Sequence, residues 1–483
     1  MGYMRSFIAA TVLSVALLSG AAPAPAADIG ANDDTGKFLG DGGASLYADM
    51  ASLGLRQVVL TTRFRPSEPL TIQDKGYLDR TVPEAFAAGL RVTLAVYPYP
   101  PREIESGASS PRAFAAYVAS VARAFPRVQQ FVVGNEPNQP AFWRPQVRPD
   151  GSNASAAAFG PYLASAYDAL KAVDPAITVV GVGLSPRGND KPDAKSNIST
   201  SPIRFLRALG AWYRASGRTR PLMDGFSFHP YPNRATDPLE RGYAWPNAGF
   251  ANLDRVKQAL FDAFDGTAQP TTVDGLRLYL DEVGWQVDTA GQPGYSGLEN
   301  VVVTDELQQA AVYGELVRRA ACDPDIAEVS FFGFRDDGAR TGFQAALQRL
   351  DGTPRPAAEA VRQAIADAGC RRASVAWSPA DGVLDPTVTV RGADASVQVR
   401  VRAGEDVRAQ VCASARAPVV GFGARPPRTT PSRCRSASLL GNRPADLDVA
   451  MPGGTRGAYD VIVELAAEAN ASRRTVVVRE ARG

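Results

Sequence analysis

Two glutamates stand at the ends of apolar runs, and this position suits acid–base chemistry. Glu136 follows the run at residues 131–135, and Pro137 ends that run because proline has no amide proton for strand pairing. Glu282 follows a similar run at residues 278–281. An unpaired buried carboxylate is costly, so a strand that ends in one is unusual. Cleavage of a glycosidic bond needs such a pair, one carboxyl group protonated and one ionised.

Four further side chains near predicted strand ends could bind a sugar or orient the glutamates. Asn135 precedes Glu136, Arg63 ends the second predicted strand, and His229 and Tyr231 follow the sixth. Each has an ordinary structural alternative except Tyr231, whose hydroxyl would donate to Glu282 and keep it ionised. Asn135 could cap local backbone, His229 could be a core residue, and Arg63 could be a surface charge.

Two tryptophans, Trp143 and Trp285, lie in loops predicted at the same face. The plane of an indole suits the apolar C–H face of a sugar ring, and indoles also pack in cores. We therefore predict that both belong to a substrate-binding surface, with core packing as the alternative.

Strands and helices alternate eight times over residues 28–369, which predicts an α/β fold, a (β/α)8 TIM barrel. In such a barrel the carboxyl ends of all strands meet at one face, which would bring the strand-end residues together. The predicted strands that do not end at a glutamate are 29–32, 57–64, 90–97, 177–182, 223–229 and 328–334. The predicted helices are 44–53, 77–89, 111–125, 154–173, 202–216, 252–264, a helix capped by Thr304 and ending at 321, and 356–368.

The pattern changes after residue 369 to short β-branched runs, at 388–390, 397–401, 409–411, 460–463 and 475–478. These runs predict a small all-β C-terminal domain, a β-sandwich over residues 370–483. Its aromatic residues are few, which favours a structural role. Residues 416–435 are predicted to form an irregular loop.

The first 27 residues are typical of a secretory signal peptide, with Arg5 before a short apolar segment and Ala24-Pro25-Ala26 as a cleavage site. An uncleaved anchor helix is the alternative. The prediction is therefore a secreted, extracellular protein with no stable membrane insertion after cleavage. The net charge is +2 with the basic residues dispersed, which argues against a nucleic-acid partner.

Four cysteines fit an oxidising compartment and allow three pairings. We favour Cys322–Cys370 and Cys412–Cys434, because each pair would then lie within or at the edge of one domain. Without a Cys-x-x-Cys motif, and with a single histidine, a zinc site is not expected. No metal or cofactor is predicted.

Asn135-Glu136-Pro137, His229-Pro230-Tyr231 and Glu282, in that order on strands four, six and seven, resemble the clan A retaining glycoside hydrolases. Residues 334–338 look most like family 39 or family 5. The resemblance covers the barrel only. It implies that Glu136 is the acid/base and Glu282 the nucleophile. This sequence departs from the family pattern on strand eight, where residues 331–334 lack the tryptophan that many members carry.

The resemblance also implies roles for neighbouring residues. Asn135 would bond the sugar 2-hydroxyl, and Arg63 would pair with the nucleophile region and lower its pKa. Because neighbouring residues of a strand point to opposite faces, only one of Asp281 and Glu282 is expected to face the site, and the resemblance selects Glu282.

Three functional hypotheses follow. The first is a secreted retaining glycoside hydrolase acting on an oligo- or polysaccharide. The second is a barrel that binds a polysaccharide without cleaving it, since a fold does not fix a function. The third is a transglycosidase that uses the same residues with a different acceptor.

Overall fold

The computed structural model describes residues 27–239, 241–244 and 246–367, and in the C-terminal part residues 385–391, 396–402, 407–416, 430–439, 444–450, 457–467 and 473–482. Residues 1–26 of the predicted signal peptide lie outside this range. The predicted Cys322–Cys370 disulfide also lies outside it, because Cys370 is not among the described residues.

Eight parallel strands pair in chain order and close into a barrel, which confirms the predicted fold class. Closure joins the first strand to the eighth, with Asp28 opposite Glu328 and Asn32 opposite Phe332. The strands are β1 Asp28–Asn32, β2 Gln57–Phe64, β3 Arg91–Pro98, β4 Gln130–Val133, β5 Thr178–Leu184, β6 Gly225–Phe228, β7 Arg277–Val283 and β8 Ile326–Phe332.

Helices connect these strands. They are α1 Thr35–Phe38, α2 Ala44–Ser52, α3 Lys75–Ala87, α4 Pro101–Glu105, α5 Pro111–Ala124, α6 Ser155–Val173, α7 Pro202–Ala215, α8 Leu253–Phe264, α9 Glu306–Ala321 and α10 Pro356–Ala366. All eight predicted helices are present within a few residues of their predicted bounds. The short helices α1 and α4 were not predicted, since a single turn leaves no helical period to detect. None of the helices within the described ranges has the length and apolarity needed to cross a bilayer.

The cap of α9 differs from the prediction. Asp305, not Thr304, is the N-cap residue, and its carboxylate accepts a hydrogen bond from the amide of Gln308. Two adjacent residues of the sequence could each supply an oxygen, and only the backbone geometry selects between them.

The apolar core lies mainly between the strands and the helices, while the barrel interior holds a smaller apolar layer. That layer consists of Val59, Ala95, Val132 and Val180, with Tyr279 packed against it. Burial of each such side chain stabilises the fold by about 1.5–3 kcal/mol. The barrel therefore presents a rigid floor beneath the strand ends that carry the candidate site.

Below this layer a buried carboxyl group, Glu328, bonds to polar neighbours. Gln130 Nε2 donates to Glu328 Oε2 at 2.7 Å, and Ser330 Oγ donates to Oε1 at 3.2 Å. Arg91 lies 3.5 Å from the same carboxylate. This cluster fills the end of the barrel away from the site.

The C-terminal part contains two antiparallel sheets with a shared apolar core, as predicted for a sandwich. Their strands are β9 Asp385–Arg391, β10 Ser396–Arg402, β11 Val407–Arg416, β12 Arg433–Leu439, β13 Pro444–Ala450, β14 Gly457–Ala467 and β15 Arg473–Arg482. One sheet has the order β13-β10-β9 and the other β12-β11-β14-β15. Core residues come from both, among them Val399 and Leu447 of one sheet and Val411 and Val463 of the other.

Two of these strands, β12 and β13, were not predicted. The predicted irregular loop 416–435 is wrong at both ends, because β11 runs to Arg416 and β12 begins at Arg433. The disulfide Cys412–Cys434 is confirmed, and the two cysteines are directly opposite each other on β11 and β12.

Candidate active site

Glu136 is held at the carboxyl end of β4 by an unusual local backbone. Gly134 has φ 114° and Glu136 itself has φ 40°, in the left-handed region that non-glycine residues rarely adopt. The amide of Glu136 donates to the carbonyl of Gly183 at 2.7 Å, which connects the turn to β5. This geometry leaves the carboxylate side chain 17% exposed in the cleft rather than against a helix.

Glu282 lies near the end of β7, beside Asp281. The pairing of β7 with β8 is irregular between Leu280 and Val283, so strict alternation does not hold there. Both carboxylates reach the same histidine as a result. The prediction that only one of them faces the site is therefore wrong, although Asp281 is almost fully buried and Glu282 is 14% exposed.

His229 lies at the centre of three carboxylates and is buried, with a side chain only 1% exposed. Its Nδ1 is 3.3 Å from Glu136 Oε1 and 3.5 Å from Glu282 Oε2, and its Nε2 is 3.6 Å from Asp281 Oδ1. Burial alone would lower the pKa of the imidazole, but the charges of Glu282 and Asp281 outweigh it and raise the pKa well above its usual value. The carboxylates therefore favour the cationic form of the imidazole.

The backbone fixes this imidazole in place. The amide of His229 donates to the carbonyl of Leu184 at the end of β5, and the amide of Tyr231 folds back onto the carbonyl of His229, both at 2.9 Å. Asp281 also accepts a short hydrogen bond from the Ser227 hydroxyl. The cation is thus fixed by β5, β6 and β7 together.

Glu282 accepts hydrogen bonds on both carboxylate oxygens. Tyr231 donates its phenol to Oε2 at 3.0 Å, as predicted, and Asn32 Nδ2 approaches Oε1 at 3.5 Å. Asn32 also donates to the carbonyl of Asp281 at 3.2 Å. Its position at the end of the first predicted strand is the sequence signal that could have identified this residue.

The pKa of Glu282 reflects opposing effects. Burial raises it to about 7, the His229 cation lowers it, and the neighbouring charge of Glu136 raises it. The phenol of Tyr231, whose own pKa burial raises well above 10, remains protonated and able to donate. Glu282 is therefore ionised only towards neutral pH in the free protein.

The turn that carries Glu136 is braced by Asn138. This side chain is fully buried and donates to the carbonyls of Ser185 at 3.1 Å and Thr200 at 2.9 Å. It thereby joins the loops after β4 and β5. Asn135, by contrast, is only partly buried, and its side chain makes no hydrogen bond to another residue within the described ranges. Its amide is thus available to a ligand.

A cleft of about 480 Å³ opens beside Glu136. The loops after β4 to β8 form its walls. Its lining is Glu136, Gln139, Ser185, Pro186, Arg187, Asn197, Tyr231, Pro232, Asn233, Arg234, Ala235, Gly284, Gln286, Val301, Val302 and Phe343. The cleft has the volume of a site for a small oligosaccharide or part of a longer chain.

Arg63 does not have the predicted partner. Its Nε donates to the phenol of Tyr97 at 2.9 Å, and its guanidinium lies 5.0 Å from the centre of the Tyr99 ring. No ion pair joins it to Glu282, and the charges that act on the pKa of Glu282 are those of His229, Glu136 and Asp281. The observed contacts of the guanidinium are thus with the aromatic side chains of β3 and of the loop after it.

The two predicted tryptophans are also elsewhere. Trp143 is 2% exposed and packs edge-on against Phe159 and Tyr162, while Trp285, also 2% exposed, donates its indole N–H to the carbonyl of Asp237. Neither has a face free for a sugar, because both are enclosed by helices and loops. The prediction that they form a substrate-binding surface is therefore wrong, because both indoles are buried.

Other aromatic rings lie beside Glu282. Tyr231 and Phe343 have ring centres 5.2 Å apart, and Phe332 and Phe343 have centres 5.4 Å apart. Phe332 ends β8, where the resemblance would place a tryptophan, and Phe343 comes from the following loop. Phe343 was missed because nothing in the loop sequence distinguishes it from a core residue.

The fold and the site together define the class of protein, a (β/α)8 barrel with two strand-end glutamates around a histidine. These residues lie at the carboxyl-terminal face of the strands, where the active sites of barrel enzymes are found. No family model and no curated protein matches the chain.

Three solved structures similar to this chain carry the names of glycoside hydrolases. A monomeric beta-xylosidase from Caulobacter crescentus is 16% identical, with 92% of this chain and 96% of that one covered and a TM-score of 0.44. A family 39 glycoside hydrolase from Bacteroides cellulosilyticus is 16% identical, with coverage of 88% and 81% and a TM-score of 0.45. A Bacteroidetes-affiliated GH5 cellulase is 14% identical, with coverage of 71% and 91% and a TM-score of 0.46. At these values the similarities carry no argument about the reaction, which rests on the residues of the site.

Proposed function

We propose that this protein is a secreted retaining glycoside hydrolase that cleaves O-glycosidic bonds of an oligo- or polysaccharide. The observation that carries the proposal is that Glu136 and Glu282 both approach one atom, Nδ1 of His229, within 3.5 Å. Two carboxyl groups that converge at one barrel face, one of them lining an open cleft, are what this reaction requires.

The geometry supports a retaining mechanism. Because both distances are measured from the same nitrogen, their sum limits the separation of Glu136 Oε1 and Glu282 Oε2 to about 6.8 Å. Retaining enzymes hold their carboxyl groups about 5–5.5 Å apart, and inverting enzymes about 6.5–9.5 Å apart, to leave room for a water molecule. The limit therefore allows the retaining separation and excludes most of the inverting range for this pair of oxygens.

The two glutamates have different surroundings, which supports the division of roles. Glu282 receives hydrogen bonds from Tyr231 and Asn32, and bonds of this kind favour the ionised form that a nucleophile needs. Glu136 lines the open cleft, where a leaving group and then water can reach it. Burial of Glu282 opposes its role below neutral pH, where its raised pKa keeps it protonated.

The proposed reaction has two steps. Glu282 attacks the anomeric carbon while Glu136 gives its proton to the departing oxygen, which forms a glycosyl ester on Glu282 and releases the first product. Glu136, now a carboxylate, takes a proton from water, whose oxygen attacks the anomeric carbon and releases Glu282. The His229 cation stabilises the negative charge that both carboxyl groups carry at different stages.

A panel of 4-nitrophenyl and 2,4-dinitrophenyl glycosides tests this proposal. We expect Glu282→Gln to abolish turnover of every substrate. We expect Glu136→Gln to lose about 10²–10⁴-fold on substrates that need protonation and much less on the dinitrophenyl substrate, whose leaving group needs no acid. Glu105→Gln is the matched control, because this glutamate is exposed on α4 and its side chain makes no hydrogen bond within the described ranges.

Two measurements distinguish the alternatives. NMR spectra of the first-formed sugar should show the anomeric configuration of the substrate, and mass spectra of Glu136→Gln with the dinitrophenyl substrate should show a sugar attached to Glu282. An inverted product would overturn the retaining mechanism. Binding of glycans without turnover of any substrate would replace the hydrolase with a binding protein, and a product joined to a second sugar would indicate a transglycosidase.

A further inference from the structure

The cleft beside Glu136 has two chemically different walls. Arg187, from the loop after β5, and Arg234, from the loop after β6, line one part of it. Val301, Val302 and Phe343, from the loops after β7 and β8, line another. Both valines are about half exposed, at 46% and 51%, so this apolar surface is open to a ligand.

No carboxylate in the described part of the chain neutralises the charges of these two arginines. Arg187 donates from Nη1 to the backbone carbonyl of Asn233 at 3.4 Å, and its side chain also bonds to the phenol of Tyr243. Both partners are neutral. Neither Arg187 nor Arg234 forms an ion pair with a carboxylate in the described part of the chain. Other barrel arginines do form such pairs, for example Arg355 with Asp336 at 2.7 Å and Arg218 with Asp168 at 2.7 Å.

Glu136 is the only acid among the described residues that line this cleft, and it already contacts a cation. Its Oε1 lies 3.3 Å from His229 Nδ1, on the floor of the cleft. Arg187 and Arg234 therefore line the cleft without a counter-charge from any described residue. A guanidinium presents several N–H groups in one plane and suits a carboxylate or a sulfate better than it suits neutral hydroxyls.

The position of the cleft assigns the arginines to one side of the scissile bond. The lining includes Glu136, which gives its proton to the departing oxygen, but not Glu282, Arg63 or Tyr97. The cleft thus extends from the acid towards the leaving group and not beneath the sugar that would be attached to Glu282.

We propose that this cleft binds an anionic glycan, with a carboxylate or sulfate ester on the leaving-group side held by Arg187 and Arg234. The apolar surface of Val301, Val302 and Phe343 would contact the C–H face of the same sugar unit. The inference rests on the proposed function, because only that function makes one side of Glu136 the leaving-group side. It narrows the substrate from any polysaccharide to an acidic one.

Binding to three polymers with one backbone tests this inference on the intact protein. They are dextran, which is neutral, carboxymethyl-dextran, which carries carboxylates, and dextran sulfate. We expect affinity electrophoresis to show tighter binding to at least one charged polymer than to dextran. Arg187→Gln and Arg234→Gln should each weaken that binding by about fivefold, the scale of one partly exposed ion pair.

The matched control is Arg123→Gln, which removes an equal charge from the last turn of α5, at the opposite end of the barrel. Arg187→Lys and Arg234→Lys keep the charge but not the planar N–H groups, and should bind with intermediate affinity. Melting temperatures of all variants verify that each is folded. A loss seen with carboxymethyl-dextran identifies a carboxylate as the bound group, and a loss seen only with dextran sulfate identifies a sulfate ester.

Equal binding of charged polymers by Arg187→Gln, Arg234→Gln and Arg123→Gln would overturn the inference, since net charge would then account for the effect. So would equal binding of dextran and both charged polymers. None of these measurements requires turnover. A failure of the hydrolase proposal would appear in the aryl glycoside panel and a failure of the anion site in the binding series, so the two are distinguishable.

Discussion

The imidazole Nδ1 of His229 lies 3.5 Å from Oε2 of Glu282, with both side chains largely enclosed by protein. Within such an enclosure the cation opposes the effect of burial on the carboxyl group, because charges interact more strongly where water is excluded. The pKa of Glu282 nevertheless rises to about 7. His229 therefore limits that rise and sets the pH at which Glu282 becomes ionised.

Replacement of His229 by glutamine should move the acid limb of the pH profile. The wild-type limb of kcat/KM should fall near pH 7, because Glu282 must lose its proton before it can attack. Without the cation the pKa of Glu282 rises, so activity should appear only at higher pH. A pH series of kcat/KM measures the shift, and an unchanged limb with only a lower plateau would show that His229 acts through packing alone.

Tyr231→Phe should also reduce activity and shift the same limb upwards. The substitution removes the 3.0 Å hydrogen bond to Glu282, and a bond of this type to a charged group contributes about 1.5–3 kcal/mol. We expect kcat/KM to fall by about tenfold or more at pH 7. Tyr295→Phe is the control, because that phenol donates to Asp336 at 2.8 Å outside the site. A loss in Tyr295→Phe equal to that in Tyr231→Phe would contradict a specific effect on Glu282.

Gly134→Ala should displace Glu136. A Cβ atom at this position would lie 2.5 Å from the carbonyl oxygen of Val182. The φ angle of Gly134, +114°, is also unfavourable for alanine. Gly107→Ala is a matched control, since its φ is +75° but nothing lies within 4 Å of the added atom. We expect Gly107→Ala to keep normal activity. Its unfolding free energy should fall by about 1–2 kcal/mol, because alanine is strained at a positive φ angle. Gly134→Ala should lose more stability and most activity, and normal kinetics in Gly134→Ala would refute the importance of this turn.

Glu328→Gln should change how stability depends on pH. Burial raises the pKa of Glu328 from its ordinary 4.5 to about 7. Because the folded pKa is the higher one, its contribution to stability is complete below pH 4.5 and is lost as pH rises through 7. The corresponding loss is about 3 kcal/mol. Glutamine stays neutral and its amide oxygen can still accept from Gln130.

Denaturant titrations from pH 4 to 8 measure this effect. The unfolding free energy of the wild type should decline relative to that of Glu328→Gln over this interval. Parallel pH dependences for the two proteins would show that the carboxyl group of Glu328 does not ionise in the folded state, or that Arg91 fully compensates its charge.

Strand order and the two glutamates were predictable from the sequence. The barrel follows from local alternation of apolar runs and helical periods, which do not depend on distant residues. Glu136 and Glu282 were detectable because a carboxylate at the end of an apolar run conflicts with burial. The bond from Tyr231 to Glu282 was also predicted, since strands six and seven are neighbours in any such barrel.

Other features depended on contacts that the local pattern does not record. Trp143 and Trp285 share the residue type of a sugar platform, but the packing of distant helices encloses them. Arg63 donates to Tyr97, its direct neighbour on the paired strand. The sequence offers no reason to expect a phenol rather than a carboxylate as the partner of Arg63.

The sequence by itself determined that two acids would stand at the same face of a barrel, because hydrophobic periodicity fixes where each strand begins and ends. Only the tertiary structure decided that Asp281 and Glu282 would both reach His229. That outcome depends on an irregular pairing of β7 with β8, where a step from Leu280 to Val283 matches a shorter step from Val329 to Phe331. Hydrophobic periodicity within one strand does not record how two distant strands pair.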